Sequence, residues 1–219
     1  MKRTISKILF ATLTAIILSI FVVIGVSAAE PNDSKSTATK ISLNTTIYDN
    51  LSSSSDVDYF KFTTTSTGYV TITFTHSNSL GSSNLWEVYF LDQSSATIVS
   101  MNVGGNELSR SFANIGLPAG EYYIKVNKYS NYSTDSYGLR VSFSSSSVWE
   151  TEFNDSRNTA DPISIGTQYY GTIMHGSDYD YFKFTTTTTG YVTVNFTHEN
   201  SVGSSNLWEV YLLDQSGAT

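Results

Sequence analysis

The chain has 219 residues, with 19 acidic and 12 basic side chains and a formal net charge of −7. An acidic chain without a lysine- or arginine-rich stripe is a poor ligand for phosphate backbones, so we expect no nucleic-acid partner. Cysteine is absent, which excludes disulfide bonds as stabilisers. Hydrophobic residues make up 40% of the chain, which is sufficient for a globular core.

The N-terminus has the layout of a secretory signal peptide. Lys2, Arg3 and Lys7 precede the apolar stretch ILFATLTAIILSIFVVIGV, and the small residues SAA precede Glu30. An uncleaved membrane anchor is the alternative, because the apolar run is almost long enough to span a bilayer. We predict that residues 1–29 are removed, that the protein is secreted and that it meets a membrane only through this signal peptide. The mature chain would then carry 9 basic against 19 acidic residues, a net charge of −10.

Apolar and polar residues alternate in several short segments after the signal peptide, including YFKF, YVTITF and YGLRVSF. This period of two predicts half-buried strands, and frequent glycines separate the segments at the spacing of turns. No stretch shows a helical period. The sequence therefore predicts an all-β fold, an antiparallel β-sandwich. The residues predicted to face inward are Phe60, Phe62, Val70, Ile72, Phe74, Leu139, Val141 and Phe143.

A long internal repeat divides the rest of the chain. Residues 30–97 recur at 152–219 with a constant offset of 122 and no gap, and about two thirds of the aligned positions are identical. We predict one complete domain at 30–146, a Ser-rich linker around SSSSVW, and a second copy at 147–219 that is incomplete at its C-terminus. The expected architecture is a tandem repeat with a truncated second copy.

Three motifs of the first copy together resemble the bacterial pre-peptidase C-terminal domain. They are EPNDS from Glu30, DVDYFKF from Asp56 and LPAGEYYIKV from Leu117. The collagen-binding domain of clostridial collagenases is a relative of that family. The resemblance implies two such domains in tandem, a jelly-roll-like sandwich, secretion, no catalytic activity and frequent attachment to secreted peptidases.

The same resemblance implies calcium bound between the acidic opening segment and the loop before the DYF strand. Calcium takes six to eight oxygen ligands from carboxylates, amides and backbone carbonyls, and two loops can share them. The alternative is that NDS forms only an Asx-turn at the start of the domain. The candidate ligands are Glu30, Asn32, Asp33, Asp56 and Asp58 in the first repeat, and Glu150, Glu152, Asn154, Asp155, Asp178 and Asp180 in the second.

The repeats differ at one of these positions. The counterpart of Glu150 is Ala28, which belongs to the predicted signal peptide. The sequence therefore predicts one more carboxylate, and tighter calcium binding, in the second repeat.

Other polar residues give no catalytic signature. His76 and His198 occupy equivalent positions, and neither the H-E-x-x-H nor the G-x-S-x-G motif is present. Trp86 and Trp208, in NLWEVY, fit a core position better than a platform for sugar stacking. In the collagen-binding relatives a late strand presents an aliphatic residue and two tyrosines. The matching stretch IKVNKYS retains only the last tyrosine, at Tyr129.

The sequence leaves two functions open. The first is a non-catalytic, calcium-stabilised accessory module of a secreted bacterial protein, acting in adhesion, substrate targeting or secretion. It would be a monomer and would bind an extracellular polymer, either a protein fibre or a polysaccharide. The second is the N-terminal part of a secreted peptidase or other hydrolase whose catalytic domain lies beyond residue 219.

Overall fold

A computed structural model describes residues 26–27, 30–198 and 207–219. The chain divides into one compact unit that ends at Lys183 and a second from Phe184 to Thr219. The predicted signal peptide, residues 1–29, lies outside the described residues except for Val26 and Ser27. Over the described ranges no helix is long and apolar enough to cross a membrane.

All regular secondary structure in the described residues is β-strand, which confirms the predicted fold class. The strands are β1 (Val26–Ser27), β2 (Thr39–Lys40), β3 (Thr46–Asp49), β4 (Val57–Thr64), β5 (Gly68–His76), β6 (Asn84–Leu91), β7 (Thr97–Gly104), β8 (Ser109–Ser111), β9 (Ile115–Leu117), β10 (Gly120–Lys128), β11 (Tyr137–Ser145), β12 (Asp161–Pro162) and β13 (Phe182–Lys183).

The strands up to β11 form the two sheets of a sandwich. One sheet has the order β1-β3-β11-β5-β8, with β9 also paired to β5, and the other has the order β2-β4-β10-β6-β7. The first long strand, β3, therefore lies beside the last, β11, and β4 lies beside β10. Further in, β5 pairs with β8 and β9, and β6 pairs with β7. This nested pairing is that of a jelly roll, as the family resemblance implied.

The core lies between the two sheets and is built from alternate residues of each strand. In β5 the side chains of Val70, Ile72 and Phe74 are fully buried, while the threonines between them are half-buried. Phe74 stacks on Tyr137 within its own sheet and reaches Trp86 of the opposite sheet, with ring centroids 4.8 and 5.3 Å apart. The predicted inward-facing residues are therefore confirmed as core, with Phe143 at its edge.

The beginning of the second repeat lies in the same compact unit as the sandwich and pairs internally as the first repeat does. β12 pairs with β13 in parallel through Asp161 and Phe182, and these positions are 122 residues beyond Thr39 and Phe60 of the β2–β4 pair. Trp149 bridges Tyr170 in parallel, as Ser27 bridges Tyr48. The two repeats therefore begin with the same local structure.

The second unit, Phe184–Thr219, contains no strand in its described parts, 184–198 and 207–219. Its large apolar side chains are exposed. Phe196 and Trp208 are 53% and 37% exposed, whereas their counterparts in the sandwich, Phe74 and Trp86, are fully buried.

Candidate metal centres

The first acidic cluster lies where the opening segment meets the ends of two strands. Glu30 lies between β1 and β2, Asp49 ends β3 and Asp58 is the second residue of β4. One carboxylate oxygen of each residue lies within 4.8 Å of the others. Glu30 also forms a group of the same size with Asp33 and Asp56. These five carboxylates form the first cluster, and Glu30 is common to its two groups.

Asn32 is fully buried inside this cluster. Its side-chain amide donates to Asp49 Oδ2 at 3.4 Å, and with the amide turned over Nδ2 lies 3.1 Å from Glu30 Oε2 and 3.2 Å from Asp58 Oδ1. In either orientation the amide is surrounded by carboxylate oxygens. Asn32 therefore adds a neutral oxygen to the ligands that the cluster can offer.

Backbone hydrogen bonds hold the cluster in place. The amide N–H of Tyr59 donates to Asn32 O at 2.9 Å and joins the opening segment to β4. The N–H of Asn50 donates to Asp49 Oδ1 at 3.0 Å, and the N–H of Ser52 donates to Asp56 Oδ2. The carboxylates of Asp49 and Asp56 thus keep orientations set by nearby main chain.

The first cluster is unfavourable for full ionisation. Desolvation is the main cause that raises the pKa of Asp58 to about 8. The hydroxyl of Tyr137 donates to Asp58 Oδ2 and opposes this rise, whereas repulsion from the neighbouring acids adds to it. Desolvation and neighbouring acids also raise the pKa of Glu30 and of Asp49. At neutral pH these groups need either protons or a cation.

The second cluster consists of Glu150, Glu152 and Asp180, whose oxygens also lie within 4.8 Å of one another. Asn154, the counterpart of Asn32, is fully buried, and neither atom of its amide group has a hydrogen-bond partner. The N–H of Tyr181 donates to Asn154 O at 3.1 Å, as Tyr59 does to Asn32 in the first repeat. The two clusters therefore share the same backbone frame.

Buried oxygens without hydrogen-bond partners distinguish the second cluster. They belong to Glu150, Glu152 and Asp180, and Asp178 at the side of the cluster has another. Desolvation raises the pKa of Glu152 to about 8, followed in effect by repulsion from Asp178 and Asp180. Desolvation and mutual repulsion also raise the pKa of Glu150, and desolvation raises that of Asp180.

A hard divalent cation fits both donor sets. Carboxylate and amide oxygens from two or three segments are what calcium prefers, and buried oxygens without partners are costly unless a cation or a proton satisfies them. The first-repeat ligands would be Glu30, Asn32, Asp33, Asp56 and Asp58, and their counterparts would serve in the second. A bound cation would supply positive charge that cross-links the opening segment to the sandwich.

The structure brings most of the candidate ligands together. In the first repeat, Glu30 lies with Asp58 in one group of carboxylates and with Asp33 and Asp56 in the other, and Asn32 contacts the first group. In the second repeat, Glu150, Glu152 and Asp180 lie together. Asp155 and Asp178 lie at the side of the second cluster, where Asp155 accepts from the N–H of Tyr179 at 3.3 Å and Asp178 accepts from the N–H of Met174.

The sequence analysis missed Asp49. Its counterpart is Gly171, so comparison of the repeats gave no reason to select it, although a carboxylate at the end of a strand next to the site was a usable signal.

The remaining candidates have structural positions. Trp86 is a fully buried core residue, which excludes it as a sugar-stacking platform. Both ring nitrogens of His76 lie within hydrogen-bond distance of backbone carbonyls, 2.8 Å from Asn78 O and 3.2 Å from Gly104 O. Tyr129 is 47% exposed just after β10. His76 and Trp86 thus belong to the core, and Tyr129 to the surface.

Residues 56–128 match the family model described as the bacterial pre-peptidase C-terminal domain. Among solved structures, the chain is similar to the pre-peptidase C-terminal domain of a collagenase from Bacillus anthracis, with 26% identity over 48% of this chain and 93% of that one, and a TM-score of 0.39.

Two further structures show lower identity. The K3 cleaved adhesin domain of Lys-gingipain from Porphyromonas gingivalis has 15% identity over 41% of this chain and 62% of that one, with a TM-score of 0.26. The carbohydrate-binding module CBM36, solved with calcium and xylotriose, has 19% identity over 48% of this chain and 93% of that one, with a TM-score of 0.29. No curated protein matches the chain.

Proposed function

We propose that this chain, which carries a bacterial pre-peptidase C-terminal domain, is a non-catalytic, calcium-stabilised accessory module of a secreted bacterial protein. The observation that supports calcium most directly is the burial of the acidic clusters. Glu150 and Asp58 are each at most 1% exposed and lie among other carboxylates. A surface turn alone would leave such groups in water, where they would have solvent as a partner.

Calcium would act as a structural cross-link in this role. The first cluster joins the opening segment to β3 and β4, and the second joins the segment around Glu152 to the start of β13. Extracellular calcium modules have dissociation constants of about 0.1 to 1 mM. Millimolar calcium would therefore stabilise each site by roughly 0.4 to 1.4 kcal/mol.

Thermal unfolding of the chain in calcium, magnesium or a chelator tests this proposal. We expect a higher melting temperature in calcium than in chelator and a smaller rise in magnesium, because magnesium gives up its water ligands reluctantly. Asp58→Asn is expected to reduce the calcium-dependent rise. Asp135→Asn, which changes an acid outside both clusters, is the matched control and should retain it. An identical melting temperature in all three conditions would contradict the proposal and indicate that the acidic segments form only turns.

A row of side chains on the outer face of the five-stranded sheet is our candidate surface for an extracellular polymer. Tyr59, Lys125 and Tyr89 are neighbours across β4, β10 and β6, and Lys125 Nζ lies 4.8 Å from the centre of the Tyr89 ring. The cation of Lys125 holds the half-buried Tyr89 ring, and half-buried Tyr59 on the other side of Lys125 extends the aromatic surface. Loss of binding to a collagen or polysaccharide matrix in Tyr59→Ala and Tyr89→Ala, with retention in Tyr129→Ala, would support this surface.

Export is proposed from the N-terminal sequence. The mature protein from culture medium should begin at Glu30, or at Ala29 if cleavage shifts by one residue. Cleavage there would also remove β1, Val26–Ser27. N-terminal sequencing checks this, and a membrane-bound product that retains Met1 would contradict it.

A further inference from the structure

The two repeats differ in which of two positions carries an acidic residue. Where the first repeat has Asp49, the second has Gly171, and where the second has Glu150, the first has Ala28. Each repeat therefore has an acid at one position of this pair and a residue without a polar side chain at the other position. The total number of nearby carboxylates is five in both repeats, because one acid replaces another.

In the second repeat the carboxylate of Glu150 occupies the space next to position 171. A Cβ atom built on Gly171 would lie 2.3 Å from Glu150 Oε2 and 2.8 Å from its Cδ. Glu150 is only 1% exposed, and its Oε2 has no hydrogen-bond partner. A side chain at position 171 and the carboxylate of Glu150 therefore exclude each other.

The acid in each repeat meets the same two neighbours. Glu150 lies within 4.8 Å of Glu152 and Asp180, and Asp49 lies within 4.8 Å of their counterparts Glu30 and Asp58. Asp49 is also buried, at 7% exposure. The carboxylate thus reaches one place in the cluster from two different positions of the chain, the end of a strand in one repeat and the linker in the other.

We propose that Asp49 is a calcium ligand of the first repeat and is functionally equivalent to Glu150 of the second. This inference rests on the proposed calcium binding. It makes the number of nearby carboxylates equal in the two repeats, whereas the sequence-based prediction counted one more in the second because Asp49 was not among its candidates. Tighter calcium binding in the second repeat stays a prediction. The assignment of Asp49 also means that the first site takes all its ligands from Glu30 onward, so that removal of residues 1–29 leaves it complete.

Calcium titration calorimetry and thermal unfolding of the full chain test the role of Asp49. With the second site disabled by Asp180→Asn, we expect Asp49→Asn to weaken calcium binding about tenfold and to reduce the calcium-dependent rise in melting temperature. The asparagine retains an oxygen for the N–H of Asn50. A merely structural role would lower the melting temperature equally with and without calcium and leave the affinity unchanged, and that result would overturn the proposal.

A reciprocal exchange in the second repeat keeps the test decisive if Asp49→Asn does not fold. With the first site disabled by Asp58→Asn, Glu150→Ala should weaken calcium binding about tenfold. Adding Gly171→Asp to Glu150→Ala should restore most of the affinity, because the aspartate enters the space that the glutamate has left. Lack of restoration in a folded double variant would overturn the equivalence of the two positions.

These outcomes separate the inference from the function on which it rests. If the unmodified chain shows no heat of calcium binding and no melting shift, the proposed calcium role fails. If the unmodified chain binds calcium and Asp49→Asn binds it equally well, calcium remains and the assignment of Asp49 is wrong. Asp92→Asn, in an exposed turn outside both clusters, is the matched control and should bind as the unmodified chain does.

Discussion

Two nearly identical segments have different structures in this molecule. GYVTITFTH at 68–76 forms the central strand β5, whereas the closely similar GYVTVNFTH at 190–198 forms no strand and exposes its apolar residues. The partners of β5 explain the difference. β5 pairs with β8, β9 and β11, whereas residues 190–198 pair with no strand among the described residues. An alternating pattern thus specifies which face is apolar, while burial requires the neighbouring strands.

Separating the two repeats tests whether the partner strands cause this difference. Residues 30–146 should unfold cooperatively, with a free energy of unfolding of about 5 to 10 kcal/mol, because they contain both sheets from β2 to β11. Residues 150–219 alone should show no cooperative transition, because exposed apolar strands without partners aggregate. Circular dichroism during heating and size-exclusion chromatography measure this. A cooperative melt of residues 150–219 would refute the explanation by partner strands.

A matched pair of substitutions at equivalent positions tests the difference in burial between the two segments. Phe74→Ala should destabilise the sandwich by about 3 to 5 kcal/mol, because it leaves a cavity between Trp86 and Tyr137. Phe196→Ala, in the same FTH context, should change the stability by less than about 0.5 kcal/mol because Phe196 is 53% exposed. Urea unfolding of the full chain gives both values, and equal losses would show that Phe196 is packed in solution.

The stability of the calcium-free chain should depend on pH through the carboxyl groups of the two clusters. In calcium-free protein the pKa of Asp58 is about 8, whereas in the unfolded chain it is near 4. The folded state then binds the proton more tightly. This contribution to stability is complete below about pH 4 and is lost as the pH rises through about 8. Glu152, with a pKa also near 8, acts in the same direction.

We therefore expect the calcium-free chain to be more stable at pH 5 than at pH 8, by a few kcal/mol at most. Asp58→Asn should reduce this pH dependence, and so should Glu152→Gln. Chemical unfolding in the presence of a chelator at several pH values measures the effect. Stability that rises from pH 5 to pH 8 would contradict the buried placement of these acids.

The smallest expected effect concerns the contact of the second repeat's opening segment with β9. A Cβ atom on Gly116 would lie 2.0 Å from the carbonyl oxygen of Glu150, so Gly116→Ala must displace that segment. We expect a loss of about 1 to 2 kcal/mol. Gly176→Ala, where a Cβ would meet no atom within 4 Å, is the control and should be nearly neutral. Equal stabilities of the two variants would mean that the contact is absent in solution.

Local patterns were sufficient to predict most of the fold. Alternation in YFKF, YVTITF and YGLRVSF identified the buried faces, because side chains of a strand point to opposite sides with a period of two. The sheet order could not be predicted from local patterns, because pairing such as that of Phe74 with Leu139 joins segments that are distant in sequence. The jelly-roll arrangement came from the family resemblance, and alternation alone would not have given it.

The sequence by itself determined the strand faces, the repeat and the acidic motifs, because each depends on residues close together along the chain. Tertiary structure decided which acids meet. Asp49, Asp58 and Tyr137 come together only because β3 ends, and β4 and β11 begin, at one side of the sandwich. It also decided that Glu150 could take the place of an acid at position 171, since that exchange depends on a shared volume, and sequence spacing does not report volumes.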